Sequence, residues 1–224
     1  ANVLLKNINQ AKAEKSKNFI MEISSHALEQ RRVEMLKLDF AIFTNLSEEH
    51  LDFHNNIDEY FKAKLKIKNL LKEDGKFIVN IDDEFGSEIK SDNLITFGKN
   101  KNSDYIISNV LESIEGTTFD LTHNGKKFEI STNLLVEFNV YNLTAAIIVL
   151  VNKGYELNEV INHCQNLKVD GRMELYKSDD FANVILDFAH TPDSINKITT
   201  FINKIKGESK LYVVCGSAGE RDAS

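Results

Sequence analysis

Cysteine, proline and tryptophan are scarce in this sequence. It has two cysteines, one proline and no tryptophan in 224 residues. Two cysteines as far apart as Cys164 and Cys215 argue against a disulfide scaffold or a cysteine-rich metal module, and they suit a reducing cytoplasm. The first residues contain neither a long apolar stretch nor a cleavage site, so they are not a signal peptide. We therefore expect a cytoplasmic protein.

Long apolar runs and an excess of basic residues are also missing. No stretch approaches the ~18 apolar residues of a membrane-spanning helix. The net charge of −7 argues against a nucleic-acid-binding surface, which needs clustered lysine and arginine. Hydrophobic residues nevertheless make up 42% of the chain, which is enough for a core. We expect a globular monomer with no membrane span and no nucleic-acid partner.

Five apolar stretches, each ending in a polar residue or glycine, predict buried parallel strands. They are residues 18–24, 40–45, 76–80, 184–188 and 211–216. Helical patterns separate most of them, at residues 57–72, 141–153, 157–166 and 193–206. This alternation predicts an α/β fold with a largely parallel sheet and flanking helices.

Residues 94–136 instead alternate between apolar and polar side chains. Asn124 and Gly125 lie between two such stretches and predict a hairpin with a two-residue turn. We therefore expect a small antiparallel insertion. A domain boundary is predicted near Lys168, which gives one domain at residues 1–168 and the start of a Rossmann-like domain at residues 169–224.

Polar side chains gather at the predicted strand ends. In open α/β sheets, ligands bind at the carboxyl ends of the strands. Carboxylates, hydroxyls and imidazoles together predict a polar anionic ligand with a hard cation. The residues concerned are Glu22, Ser24, Ser25, His26, Thr44, Asn45, Asn80, Asp82 and Asp187.

Glu22 is unusual because it lies within an otherwise apolar stretch. A buried carboxylate is costly unless it is paired or binds a metal, and the alternative is an outward-facing residue at a sheet edge. His50 and His54 are four residues apart with Asp52 between them, which suits zinc, although solvated loop histidines have the same spacing. One carboxylate and one imidazole beside phosphates would also suit Mg²⁺.

Lys64 lies on a helical stripe with Tyr60, Ile67 and Leu71 that should face the core. Its side chain either extends to solvent or keeps a desolvated, uncharged amine. Such an amine can take up CO₂ and become a carbamate, which is a negatively charged metal ligand. Spacing alone favours the first explanation.

Further candidates lie in polar groups beside helices. Gln30, Arg31 and Arg32 offer side chains suited to phosphate or carboxylate, with plain surface charge as the alternative. Asn139 and Asn142 open an apolar helix, and N-capping accounts for one of them.

The last candidates surround the only proline. Asp187 ends a predicted strand, where a carboxylate can bind ribose. His190 and Thr191 precede Pro192, which suits the first position of a helix. Arg172 lies in a Gly-Arg-Met-Glu turn.

Six blocks of sequence, in this order, resemble the Mur ligase family. They are residues 21–28, 44–54, 60–64, 138–142, 171–174 and 187–193, so the resemblance runs over nearly the whole chain. The first two blocks and Gly-Arg-Met-Glu are the specific ones. The resemblance implies most of a central ATP-binding domain, followed by the first part of a C-terminal ligase domain.

The resemblance also implies roles for individual residues. Glu22 and His50 would bind Mg²⁺ near the γ-phosphate of ATP, and a carbamylated Lys64 would help to hold a second metal ion, so His50 and Lys64 are the expected catalytic residues. The remaining matched positions would bind the organic ligands. They are Ser24, Gln30 and Arg32 for UDP-MurNAc-dipeptide, Asn142, Arg172 and Asp187 for adenine and ribose, and His190 near the nucleotide.

The activity implied is that of an ATP-dependent amide ligase of peptidoglycan biosynthesis. The D-Glu carboxylate of UDP-MurNAc-L-Ala-D-Glu would attack ATP, and the amine of a diamino acid would displace phosphate from the acyl phosphate. The composition, rich in Asn, Lys and Ile, is typical of an AT-rich bacterial genome. Since Gram-negative bacteria mostly use meso-diaminopimelate, we expect it as the third amino acid of the stem peptide, with lysine left open.

The sequence departs from the family pattern in two places. Val136 replaces the glycine usual two positions before Phe138, which puts the geometry of that turn in doubt. The phosphate-binding motif Gly-x-x-x-x-Gly-Lys-Ser/Thr does not occur, and we expect it upstream of Ala1. Both ends look cut from a longer protein. Because the chain lacks the lysine of this phosphate-binding motif, we expect it to be inactive alone.

Three alternatives stay open. A folylpolyglutamate synthetase-like ligase would share the superfamily, although the Ser-Ser-His-Ala-Leu-Glu-Gln-x-Arg run argues against it. A metallohydrolase would use His26, His50, His54 and Asp52 around zinc. A folding unit that keeps the scaffold without activity is the third.

Overall fold

The computed structural model describes residues 2–47 and 53–216. The chain forms two compact units, Ala1–Ser103 and Asp104–Ser224. Each unit has its own cluster of buried apolar side chains. Within the described ranges, every helix is too short or too polar to cross a lipid bilayer.

The first unit is an α/β layer. In its described residues, helices and strands alternate along most of the chain, and a short 3₁₀ helix, Lys66–Leu70, continues α3. The elements are α1 (Asn2–Ala13), α2 (Ser25–Glu29), β1 (Leu38–Phe43), α3 (Ile57–Leu65), β2 (Leu71–Asn80), α4 (Glu84–Glu88) and β3 (Leu94–Gly98).

Strand β2 lies between β1 and β3 and runs parallel to both. Ile78 pairs with Ile42 of β1 and with Ile95 of β3. Phe77, Ile78 and Val79 are fully buried, which is why the sequence of β2 is a continuous apolar run. The predictions of strands at residues 40–45 and 76–80 are confirmed, and the carboxyl ends of these strands lie at one edge of the sheet.

The second unit begins with the predicted antiparallel insertion. Its elements are β4 (Tyr105–Ser113), β5 (Gly116–His123), β6 (Lys126–Thr132), α5 (Glu137–Asn152), α6 (Leu157–Asn162), β7 (Glu174–Tyr176), β8 (Val184–Leu186) and α7 (Pro192–Ile205). Strands β4, β5 and β6 pair antiparallel in chain order. Asn124 and Gly125 have φ values of 50° and 73°, the paired positive values of a type I′ turn. The hairpin prediction is confirmed.

Helix α7 packs against the short β7–β8 hairpin. Thr191 and Ser194 form a capping box at its start, and Pro192 takes the first helical position, as predicted. Phe201 of α7 joins Met173, Leu135 and Val136 in one buried cluster. This cluster fixes α7 and the Gly-Arg-Met-Glu turn against the start of α5.

Three predicted strands differ in the structure. Residues 18–24 and 211–216 are not strands, and Ile20 and Val214 are 93% and 100% exposed. A strand needs a hydrogen-bonded neighbour, and none of the described strands pairs with either segment. Residues 184–186 form a strand, but it pairs antiparallel with β7 and is largely exposed. The connection from Tyr176 to Val184 is too short for the crossover that parallel strands require.

The division between the two compact units lies between Ser103 and Asp104. The sequence instead predicts a domain boundary near Lys168. That boundary stays a prediction.

Candidate functional site

Ser24 lies at the start of α2 and caps it. Its backbone is extended, and its hydroxyl oxygen accepts the N–H of Ala27 at 3.2 Å. This bond occupies one acceptor position of the hydroxyl group. Ser24 is exposed, so its hydroxyl group is accessible and can donate its hydrogen to a ligand.

Glu22 precedes this cap and is exposed. The expectation of a buried carboxylate inside a strand is therefore wrong. The reason is that residues 18–24 join no sheet, so no neighbouring strand covers the side chain. An exposed carboxylate keeps its hydration and needs no fixed counter-charge, which leaves it available to a cation.

Gln30 and Arg32 follow α2. The backbone N–H of Gln30 closes the helix on the carbonyl of His26, and the side chain is exposed. Gln30 lines an open depression of about 560 Å³, together with His54 and Lys62. Arg32 donates its backbone N–H to the Ala27 carbonyl at 2.9 Å, and its guanidinium group is exposed. The structure therefore brings Gln30, but not Arg32, into the wall of this depression.

A buried polar chain links α2 to α3. The Ser25 hydroxyl is 2.9 Å from Nε2 of His54, and both residues are buried. The His54 ring stacks on Tyr60 at 5.0 Å between centroids, and Nζ of Lys64 lies 5.0 Å from the centre of the Tyr60 ring. The prediction that Tyr60 and Lys64 share the core-facing stripe of α3 is confirmed, since Tyr60 is buried and Lys64 is half-buried.

Sequence reasoning missed the roles of Ser25, His54 and Tyr60. The spacing predicts a solvated loop residue or a zinc ligand at His54, whereas this residue is 4% exposed. The available signal was the aromatic Tyr60 one helical turn before Lys64. Nothing in the spacing of Ser25 and His54 reveals that they meet, because the chain between them folds through β1.

His50 and Asp52 lie outside the described residues. His26 packs on the ring of Phe53, with the centroids 4.0 Å apart, and Nε2 of His54 is bonded to Ser25. In residues 2–47 and 53–216, no group of three His, Cys, Asp or Glu side chains is placed to hold a metal ion.

The donor chemistry of this region fits a hard cation. Mg²⁺ prefers oxygen ligands and retains several waters, so it needs few protein groups. The exposed Glu22 carboxylate could supply such an oxygen, and a carbamate on the half-buried Lys64 amine would supply another.

Asn80 and Asp82, at the carboxyl end of β2, bind backbone groups. Asn80 donates from Nδ2 to the Thr44 carbonyl at 2.9 Å. The Asp82 carboxylate accepts the N–H groups of Lys99 at 2.5 Å and of Asn100 at 3.0 Å. These two side chains hold the loops that follow the strands, and the expectation that the strand ends serve an anionic ligand stays a prediction.

Asp83 does the same for the loop after β1. One carboxylate oxygen accepts the N–H of Leu46 at 3.0 Å, and the other accepts the N–H of Gly86 at 2.9 Å and caps α4. This single side chain fixes the loop that leads towards His50. Sequence reasoning did not single out Asp83, although an acidic residue before a short helix is a typical N-cap signal.

Asn142 lies in the first turns of α5 and is exposed. Its Nδ2 donates to Oδ1 of Asn139 at 3.2 Å, and the buried Asn139 donates to the Leu135 carbonyl at 2.8 Å. The two asparagines thus have different roles. Asn139 bonds to a backbone carbonyl, whereas Asn142 faces solvent.

Val136 caps α5 with an unusual backbone. Its φ and ψ are 71° and 136°, in a region close to the one that glycine almost alone occupies. The turn therefore keeps a conformation that favours glycine, although valine stands there. The doubt about this turn is resolved in favour of the glycine-type geometry.

Arg172, Asp187 and His190 come together around Phe188. The two oxygens of Asp187 accept the N–H groups of Met173 at 2.8 Å and of Ala189 at 2.7 Å. The Arg172 guanidinium lies 5.2 Å from the centre of the Phe188 ring. His190 contacts the same ring edge-on, and its Nδ1 donates to the Phe188 carbonyl at 3.0 Å, since that oxygen can only accept.

Glu174 stabilises the turn beside Arg172. The backbone N–H of Gly171 donates to its carboxylate at 3.0 Å, and Lys168 lies 3.0 Å from the other oxygen. The Gly171 bond, followed by bonds from Tyr176 and Lys168, lowers the pKa of Glu174 to about 2. This carboxylate is ionised at neutral pH and holds the turn in place through its bonds to Gly171 and Lys168.

Comparison with known families gives two matches. The Mur ligase middle domain matches residues 2–150, and the glutamate ligase domain of Mur ligases matches residues 171–224. The chain belongs to the Mur ligase family. The predicted boundary near Lys168 falls in the interval between the two matched segments.

Individual relatives are similar over nearly the whole chain. A UDP-N-acetylmuramoyl-L-alanyl-D-glutamate--2,6-diaminopimelate ligase of Aquifex aeolicus (strain VF5) is 38% identical over 209 residues, which is 92% of this chain and 42% of that protein. A UDP-N-acetylmuramoyl-L-alanyl-D-glutamate--L-lysine ligase of Staphylococcus haemolyticus (strain JCSC1435) is 33% identical over 98% of this chain and 46% of that protein. The solved structure of a 2,6-diaminopimelate ligase of this kind has a TM-score of 0.69 and 29% identity over 90% of this chain and 42% of that one.

The chain thus spans less than half of the length of these relatives. The resemblance to Mur ligases and the α/β fold class are confirmed. The relatives include ligases for diaminopimelate and for lysine, so family membership leaves the added amino acid open.

Proposed function

We propose that the whole protein is a cytoplasmic, monomeric, ATP-dependent ligase of peptidoglycan biosynthesis. It adds the third amino acid of the stem peptide to UDP-MurNAc-L-Ala-D-Glu. The observation that carries this proposal is the 38% identity to a 2,6-diaminopimelate ligase over 92% of this chain. The exposed side chains of Glu22, Ser24, Gln30 and Arg32, gathered around one short helix, support it.

The reaction has two steps that balance in atoms and charge. A carboxylate oxygen of D-Glu attacks the γ-phosphorus of ATP, the bond to the β-phosphate oxygen breaks, and ADP leaves. The amine of the incoming amino acid then attacks the acyl phosphate carbon, loses a proton and expels inorganic phosphate. The protein acts by holding the reactants together and by neutralising phosphate charge.

Glu22 and His50 would hold one Mg²⁺, and a carbamylated Lys64 would help to hold a second metal ion. These ions would neutralise the charge on the transferred phosphate. Ser24 and Gln30 would donate hydrogen bonds to the UDP-MurNAc-dipeptide, and Arg32 would bind one of its anionic groups through the planar guanidinium. His50 and Lys64 would be the catalytic residues.

In the second unit, Asn142, Arg172 and Asp187 would bind adenine and ribose, with His190 near the nucleotide. The outward-facing amide of Asn142 suits the edge of a base. Each oxygen of Asp187 has a lone pair beyond its backbone bond, which suits a ribose hydroxyl.

The added amino acid is proposed to be meso-diaminopimelate. Two facts support this choice over lysine: the identity of 38% to one diaminopimelate ligase against 33% to a lysine ligase, and the solved structure of a diaminopimelate ligase among the similar folds.

The test is a ligase assay on the complete protein. With ATP, Mg²⁺, UDP-MurNAc-L-Ala-D-Glu and meso-diaminopimelate, we expect the tripeptide product by mass spectrometry and one phosphate per product. Parallel reactions supply L-lysine instead, or a folate with glutamate. Exclusive turnover of the folate, or zinc-dependent hydrolysis without ATP, would overturn the proposal.

Matched variants and this chain alone complete the design. Glu22→Gln should abolish turnover, whereas Glu34→Gln, another exposed carboxylate near the same helix, should keep it. This chain alone should not turn over, since it contains no phosphate-binding Gly-x-x-x-x-Gly-Lys-Ser/Thr loop.

A further inference from the structure

The link between α2 and α3 is built from buried, specific contacts. Ser25 is 1% exposed and His54 is 4% exposed, and their side chains are 2.9 Å apart. Burying a hydroxyl group or an imidazole ring costs free energy unless the group forms a hydrogen bond. The bond between Ser25 and His54 therefore fixes both side chains. It holds the end of the Met21–Ser24 segment against the start of α3.

His54 also contacts Tyr60, which in turn contacts Lys64. Its ring is inclined at 27° to Tyr60, with centroids 5.0 Å apart, and Tyr60 is 3% exposed. The Lys64 Nζ then lies 5.0 Å from the centre of the Tyr60 ring. Before Lys64 takes up CO₂, the aromatic face attracts its ammonium group and restricts where the flexible lysine stem can go.

We propose that His54 is a positioning residue, which sets the place of the Lys64 amine relative to the segment that carries Glu22 and Ser24. It acts through the Ser25 hydroxyl on one side and the Tyr60 ring on the other. This inference rests on the proposed function in one respect, namely that Lys64 serves the reaction. The contacts themselves do not depend on it.

The kinetic test uses Ser25→Ala and His54→Phe in the complete protein. Phenylalanine keeps a ring for Tyr60 but cannot bond to Ser25. Loss of such a supporting partner should lower kcat about 10- to 100-fold, with smaller changes in KM for ATP and UDP-MurNAc-dipeptide. Because both variants break the same hydrogen bond, the double variant should lose no more than the worse single variant.

Asn56→Ala is the matched control for stability. Asn56 caps the same helix by accepting the Glu59 N–H at 2.9 Å, but it has no part in the Ser25–His54–Tyr60 contacts. It should lower the thermal midpoint while kcat at a temperature where all variants are folded stays near the wild-type value. If Asn56→Ala lowers kcat as much as His54→Phe, or if the two losses at Ser25 and His54 add, the positioning role is refuted.

A second readout separates this inference from the proposed function. Acetic anhydride labelling, followed by peptide mass spectrometry, measures how fast Lys64 and the exposed Lys62 of the same helix react. We expect Ser25→Ala and His54→Phe to raise the Lys64 rate several-fold and to leave Lys62 unchanged. An unchanged Lys64 rate would overturn the inference even in an active ligase. Absence of ligase activity in the wild type would instead reject the proposed function, while this labelling still tests the contacts.

Discussion

At position 136, glycine should give a protein that is at least as stable as the one with alanine. Its φ of 71° and ψ of 136° place a β-branched residue in a backbone conformation that costs about 1–3 kcal/mol. The side chain is 5% exposed and packs in the cluster with Met173 and Phe201, which offsets part of that cost. Packing of the valine side chain therefore keeps the backbone in a conformation that valine by itself disfavours.

The expected magnitudes follow from these two effects. Shortening Val136 to alanine removes two buried methyl groups, about 0.8 kcal/mol each, and leaves the backbone strained. Going on to glycine removes one more methyl group and adds about 0.5–1 kcal/mol of chain entropy, but it relieves about 2 kcal/mol of strain. Val136→Gly should thus be about 0.5 kcal/mol more stable than Val136→Ala.

The assay is urea unfolding at 25 °C, with midpoints compared at a constant slope. Leu135 is the matched control, because it is 2% exposed in the same cluster and lacks a positive φ. The free energy of unfolding of Leu135→Ala should be about 1–2 kcal/mol higher than that of Leu135→Gly. If Val136→Ala is also more stable than Val136→Gly by 1 kcal/mol or more, the strain argument is refuted.

Three further changes test the contacts around the site. Glu174→Gln should destabilise the fold at neutral pH, and the difference should shrink as the pH falls from about 4.5 towards the folded-state pKa of about 2, as read from thermal midpoints across pH. Gly86→Ala should cost about 1–3 kcal/mol in urea unfolding, because a Cβ there would lie 2.0 Å from the Asn80 carbonyl oxygen. Asp83→Ala should cost about 2 kcal/mol, since it removes both the cap of α4 and the acceptor for the Leu46 N–H.

Each of these changes has a result that would contradict it. A Glu174→Gln deficit that stays constant down to pH 2 would show that the ionised carboxylate is not what holds the turn. Full stability of Gly86→Ala would show that the backbone at this point relaxes freely. For Asp83→Ala, the neighbouring Glu84→Ala is the control, and equal losses would remove the special role of Asp83.

The interior of the first sheet was predictable because burial leaves a direct trace in sequence. Phe77, Ile78 and Val79 are apolar on both faces, as expected of a central parallel strand. The Asn124–Gly125 turn was predictable for a different reason, because two consecutive positive φ values restrict the residue types. Residues 18–24 and 211–216 show the limit of this reasoning, since apolar runs predict a strand whether or not a partner strand is present.

The site was less predictable than the fold. Helical spacing correctly placed Lys64 on the stripe of Tyr60, because both lie on one regular element. The Ser25–His54 contact depends on a loop conformation between two elements, for which spacing carries no information. The exposure of Glu22 was also missed, because it follows from the failure of its segment to join a sheet.

The polar strand ends divide into two groups once their backbone bonds are counted. A carboxylate that accepts two backbone N–H groups holds a loop in place, so its loss should lower stability. Asp82, Asp83 and Asp187 each accept two such bonds, and a ligand can use only the lone pairs that remain on them. Glu22 is exposed and accepts no such bond among the hydrogen bonds described. The carboxylate that sequence reasoning regarded as the most awkward is therefore the one whose loss should affect ligand binding more than stability, whereas the loss of Asp83 should do the reverse.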